Sequence, residues 1–173
     1  IIIDQLGRAT GPTFVLGLSM ESHGPYTDEK TTDQAARDAV QVPPGLTPKE
    51  SLELRNYLYH AHRADAQFAR LLNAVEARKR PTVLLFFGDH LPGLRDVFQT
   101  TGFNDGRPAV KQYVPWVLVR TDRPDNRTIP HAESWMLPGM LLQLAGFDDD
   151  PYFPLTNGLS RQLSPESKTL PPA

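Results

Sequence analysis

The sequence predicts an α/β fold in which a mostly parallel sheet is flanked by helices, and three observations predict it. Residues 13–20, TFVLGLSM, form a short apolar run entered from Gly11-Pro12, and residues 81–90, PTVLLFFGDH, contain a second. Between them lies a long segment whose apolar residues recur at helical spacing. Short apolar runs bounded by turn residues read as buried strands. Strand, long helix, strand is the order of a right-handed crossover, which makes the two strands parallel.

The opening residues, IIIDQLGRATGP, read as the end of a helix running into a turn, without a starting Met or a capping residue, as expected for a piece of a longer chain. Phe14, Val15, Leu16 and Leu18 carry the first strand. It stops abruptly in SMESHGPYT, where an acid, a hydroxyl, a histidine and a Gly-Pro turn fall within seven residues. That is the composition of a site loop rather than of a simple connection.

The clearest helix is LTPKESLELRNYLYHAHRADAQFARLLNAVEARKRP. Thr47 is a good N-cap, Pro48 fits the first helical position, and Glu50, three after the cap, completes a capping box. Leu54, Leu58, Ala61, Ala64, Phe68, Leu71 and Val75 recur at steps of three or four and define a buried face. Arg78, Lys79 and Arg80 suit the negative end of the helix dipole, and Pro81 prevents continuation. The second strand follows in TVLLFF, and a third in YVPWVLVR, where Pro115 marks an edge or irregular start. ESWMLPGMLLQLAGF then reads as a helix capped by Ser134, tolerating Pro138 in its first turn and closed by Gly146. Residues 148–173 carry five prolines and little periodicity, the pattern of an irregular cover and a loose tail; the expected division is a catalytic-domain portion over residues 1–155 and a tail over 156–173.

Composition narrows the function. At 173 residues the chain suits one domain, and it shows no internal repeat. A net charge of -2 gives no basic field for nucleic acid. The absence of cysteine excludes a thiol nucleophile, a disulfide framework and a cysteine-based zinc site. No apolar stretch approaches the roughly 20 residues that span a bilayer, and no signal peptide opens the sequence.

In an open parallel sheet, ligands gather beyond the carboxyl ends of the strands. Two polar clusters fall there: Glu21, Ser22 and His23 after the first strand, Asp89 and His90 after the second. An Asp-His pair offers a hard oxygen and a borderline nitrogen, a mixture suited to zinc or manganese. Taken alone, the same pair fits equally well a strand-end turn in which the Asp caps the next segment. His23 could face a second metal or an anionic substrate oxygen, or be an ordinary hydrogen-bonded loop histidine. Glu21 could orient His23 as a second carboxylate partner, although a solvated loop acid is the better reading. His60 and His62, two apart on a helix, share no face, and Arg63 and Asp65 read as helix surface. His131 precedes a helix and could approach the rim, although a surface loop residue is the better reading, and Trp116 and Trp135 read as packing residues.

FVLGLSMESHGPYT, NYLYHAHRADAQFARLLNAV, TVLLFFGDH, YVPWVLVR and WMLPGMLLQLAG, in this order, resemble the carboxyl-terminal half of the sulfatase-like branch of the alkaline phosphatase superfamily. The likeness is greatest to lipoteichoic acid synthases and phosphoglycerol transferases, with phosphoethanolamine transferases as near relatives. It implies an incomplete sulfatase-like α/β fold, with Asp89 and His90 binding a catalytic divalent metal (Mn or Zn, with Mg also suitable) and His23 contacting the substrate phosphate or a second metal. The family nucleophile is a threonine in a context that Thr27, Thr31 and Thr32 do not share, so the chain is expected to be inactive alone. The implied chemistry is attack of that threonine on a phospholipid head group, then transfer of the phosphoryl group to a glycan acceptor. A membrane-anchored parent with this domain outside the cytoplasm follows from the same resemblance, as does self-association of an isolated fragment with open sheet edges. A sulfatase or phosphodiesterase, or a noncatalytic α/β module binding an anion or a partner, are the alternatives. After GDH the chain continues LPGLRDVFQTTGF, without the further histidine that a phosphoethanolamine transferase's second zinc site would use.

Overall fold

The computed structural model of the protein describes residues 1–27, 33–123, 132–147 and 151–163. Its helices are α1 (Ile2–Arg8), α2 (Gln34–Asp38), α3 (Pro48–Glu76), α4 (Arg95–Thr101), α5 (Leu137–Ala145) and α6 (Tyr152–Leu163), and its strands are β1 (Val83–Phe87) and β2 (Trp116–Arg120). Two compact units result, one formed by Ile1–Ala74 with His90–Tyr113, the other by Val75–Asp89 with Val114–Ala173. Among the described residues no helix is long and apolar enough to cross a membrane.

In the first unit α3 begins as its sequence dictates. Glu50 Oε2 accepts the Thr47 backbone N–H at 2.7 Å, and Thr47 Oγ1 accepts the Glu50 N–H at 3.3 Å, so two orphan donors of the first turn are satisfied reciprocally. Glu50 Oε1 also accepts the Thr100 hydroxyl at 2.6 Å, which joins the start of α3 to α4. The core is Tyr26, Leu94 and Val97, flanked by Leu46, Leu54, Tyr57 and Phe98. Much of the face expected to be buried on α3 is only half covered, from Leu54 and Leu58 to Phe68 and Leu71, and the residues that α3 does bury are Glu50, Asn56, Tyr59 and Val75.

The second unit is built on β1 and β2. They pair with Leu85 opposite Leu118 and Phe87 opposite Trp116. Period-2 alternation sets Leu85, Trp116 and Leu118 against Met136, Leu137 and Met140, while the opposed pair Phe86 and Val117 stays exposed. A single turn of tighter helix, Ser134–Met136, leads into α5; the N-cap positions of the two helices fall to Glu133 and Met136, neither capping with its side chain, and not to Ser134 as expected. Gly146 closes α5 in the left-handed conformation at φ 78°, as its position predicts. Asn157 of α6 donates to the Gly139 carbonyl of α5 at 3.3 Å.

Three expectations are corrected. The pair β1–β2 is antiparallel, not parallel. The helix that packs on it, α5, follows both strands instead of lying between them as a crossover would. Residues 13–20 form no strand, and Phe14, Leu16 and Leu18 are exposed. A strand is made by ladder bonds to a neighbour, and among the described residues the β1–β2 ladder is the one sheet, so apolar composition alone does not make residues 13–20 a strand. Finally, residues 152–163 are helical where an irregular cover and tail were expected, because Pro154 falls in the first turn of α6, the one stretch of a helix that tolerates it.

Candidate functional site

The SMESHGPYT loop is pinned to α3 at both ends. Near its start, Glu21 Oε1 accepts from Arg63 Nε at 2.7 Å and from His60 Nδ1 at 3.2 Å. Near its end, the Tyr26 carbonyl accepts from Asn56 Nδ2 at 2.5 Å, and the Tyr26 hydroxyl donates back to the Ser22 carbonyl at 2.8 Å. Tyr26 is buried edge-on against Tyr57, and Asn56 is 1% exposed. Between these anchors His23 is presented to solvent.

The result is a polar pocket of about 400 Å³ lined by Met20, Glu21, His23, Pro25, Tyr26, Asn56 and His60. The His60 hydrogen bond, reinforced by Arg63, holds the Glu21 carboxyl below its ordinary range, in opposition to the effect of its partial burial. Arg63 in turn lies over the Tyr59 ring, 5.7 Å from its centroid. His60 meets the same ring edge-on.

Histidine tautomers follow from the partners. A carbonyl or a carboxylate can only accept, so Nδ1 carries the proton in His23, which donates to the Gly24 carbonyl at 2.6 Å, and in His90, which donates to the Leu91 carbonyl at 2.7 Å. The same holds for His60 against Glu21. In the neutral form each ring therefore carries its lone pair on Nε2, the arrangement usual for a metal-ligating or hydrogen-bond-accepting imidazole.

Asp89 and His90 follow β1, and both are exposed. Their donor chemistry, one carboxylate oxygen and one imidazole nitrogen, fits a divalent cation. They supply two donors where a closed site takes four or more. Among the described residues, no group of three or more His, Asp or Glu side chains is placed to hold a metal ion.

The expected site residues thus divide. His23 sits in a built pocket and Asp89 and His90 on an exposed turn, while Thr31, Thr32 and His131 lie outside the described residues. Glu21 is not a solvated loop acid and does not orient His23; it ties the loop to α3. The sequence reads Arg63 as helix surface and His60 as a residue that shares no face with His62 for chelation, yet the two make that tie. Their signal was present: Asn56, His60 and Arg63 stand four and three residues apart, one polar stripe along α3. A second cavity of about 680 Å³, beside α4 and lined by residues such as Phe98, Phe103, Arg95 and Arg107, contains no carboxylate or imidazole on its walls.

A relative is found in Rhizobium meliloti (strain 1021), named as a cyclic beta-1,2-glucan modification protein; it is 29% identical over 111 residues, which cover 64% of this chain and 17% of that protein. The chain therefore spans about a sixth of the length of that relative. No solved structure matches the chain. The sulfatase family profile matches residues 2–137. That span takes in the His23 loop, α3, the Asp89-His90 step and β2, and by it this chain belongs to the sulfatase family.

Proposed function

We propose that the chain is part of a metal-dependent transferase that moves a phospholipid head group, phosphoglycerol, onto a cell-envelope glycan. The observation that carries this reading is the sulfatase match across both the His23 loop and the Asp89-His90 step. The relative named for glucan modification supports a glycan as acceptor. The donor lipid, an anchored parent and a site facing outside the cytoplasm belong to the same proposal, as does a nucleophilic threonine supplied by the parent beyond this chain.

In this reading Asp89 supplies a hard anionic oxygen and His90 its Nε2 lone pair to manganese or zinc. The cation, when bound, supplies Lewis acidity toward the phosphoryl oxygens and the attacking hydroxyl. His23, held outward between the Glu21 and Tyr26 anchors, faces the anionic group being transferred. α3 fixes that loop in advance, so binding does not have to order it.

Elemental analysis and calorimetry with manganese and zinc test the assignment, comparing the chain with an Asp89→Ala, His90→Ala double variant. Uptake lost in the variant is the expected result. Equal uptake by both proteins would remove Asp89 and His90 from the metal site.

A further inference from the structure

The pocket between the His23 loop and α3 has features that an anion-facing histidine alone does not explain. Glu21 uses one carboxylate oxygen, Oε1, for both His60 and Arg63. Its Oε2 accepts from no group among the described residues. His23 and His60 each carry a lone pair on Nε2 when neutral, and both line the cavity together with Asn56. No lysine or arginine lines it, and the charge of Glu21 is already matched by Arg63 behind it. Met20, Pro25 and Tyr26 add apolar surface to this ring of acceptors.

We infer that this pocket is a preformed subsite for a neutral polyhydroxylated ligand, a sugar unit, bound beside the position of the transferred anion. Vicinal hydroxyls donate to Glu21 Oε2 and to His60 Nε2, while the C–H face of the ring packs on Met20, Pro25 and Tyr26 and His23 is left for the anion. A cavity of about 400 Å³ accepts one or two hexose rings. An anionic ligand is disfavoured in this part of the pocket, since it would meet the ionised Glu21 carboxylate without a spare cation. The inference rests on the reading of the chain as acting on a glycan and assigns the residues that would hold that glycan.

The test is a titration of the isotope-labelled chain, followed by NMR at the backbone amides of residues 20–26 and 56–63 and at the histidine rings. One probe is the β-1,2-linked glucose disaccharide and the other is inorganic phosphate. The disaccharide is expected to shift both groups of amides, and Glu21→Gln and His60→Leu are each expected to weaken it about tenfold, the loss of one hydrogen bond involving a charged or buried partner. Thermal melting by circular dichroism identifies a variant that has lost its fold, and because Glu21 and His60 are bonded to each other, Met20→Ala, which trims the apolar wall and leaves that bond intact, serves where both fail. No response to the disaccharide in the wild-type chain overturns the inference, as does an affinity unchanged in both variants. If phosphate alone perturbs His23, the proposed function stands and the sugar subsite falls. If the disaccharide alone responds, the subsite stands and the anion-facing role of His23 falls.

Discussion

Replacing Asn56 by Asp tests the anchor that holds the His23 loop to α3. The change preserves shape but removes the donor that reaches the Tyr26 carbonyl at 2.5 Å, at a position 1% exposed. Asn56→Ala removes the hydrogen bond and leaves that carbonyl without this donor, a cost of about 2 kcal/mol. Asn56→Asp is worse at neutral pH, because an ionised carboxylate would be buried against a carbonyl oxygen. The introduced carboxyl escapes by raising its pKa, and a rise of about three units corresponds to ~4 kcal/mol. The folded value then lies above the unfolded value of about 3.9, so the cost is full above the raised pKa, shrinks as pH falls below it, where the protonated group donates to Tyr26, and vanishes below the unfolded value. Urea unfolding at pH about 7.5 and about 4.5 reads the difference, with Asn56→Ala as the pH-insensitive reference. Asn56→Asp should be the less stable variant at the higher pH and the more stable at the lower. Matching stabilities for the two variants at both pH values would show that residue 56 is solvated and that the loop has no such anchor.

Other changes test other links. Because its bonds to His60 and Arg63 hold Glu21 below the ordinary carboxylate value of 4.5, its stabilising effect is complete above that value and is lost as pH falls through the depressed one. Glu21→Gln should therefore lower the melting temperature at neutral pH and flatten its decline in acid, measured by melting curves across the pH range. Thr47→Ala removes one half of the capping box and should cost about 1 kcal/mol in urea unfolding. Gly146→Ala should cost about the same, since φ 78° strains any residue with a Cβ.

How much of this was legible in the sequence depended on how local each feature is. The start of α3 and the Gly146 cap are set by residues within a few positions of one another, and the sequence foretold them; β1 and β2 were foretold by composition and found their partner in each other. The strand expected at residues 13–20 failed because a strand is a relation between segments, and Phe14, Leu16 and Leu18 carry the composition without a partner. Strand direction failed for a related reason: the long helix between two apolar runs looked like a crossover, yet the strand that pairs with β1 comes after it and runs the other way. α6 was hidden by its prolines. In the candidate site, His23 was legible from its loop, whereas the roles of Asn56, His60 and Arg63 are contacts across 30 to 42 residues that only the folded chain displays.

The tautomer of His23 bears directly on the proposed chemistry. Its Nδ1 proton is committed to the Gly24 carbonyl at 2.6 Å, so a neutral ring would turn a lone pair toward any oxyanion at Nε2. Contact with the anion through Nε2 therefore requires a ring protonated on both nitrogens. Inorganic sulfate, whose charge is constant near neutrality, is the probe. Ring nitrogen shifts in the sulfate complex should show a proton on both Nδ1 and Nε2. The same ring, when neutral, is suited to accept from a hydroxyl or to hold a cation, so protonation decides which ligand it favours. Nitrogen shifts placing the single ring proton on Nε2 in the sulfate complex would refute this account and free His23 to bind the anion as a neutral donor.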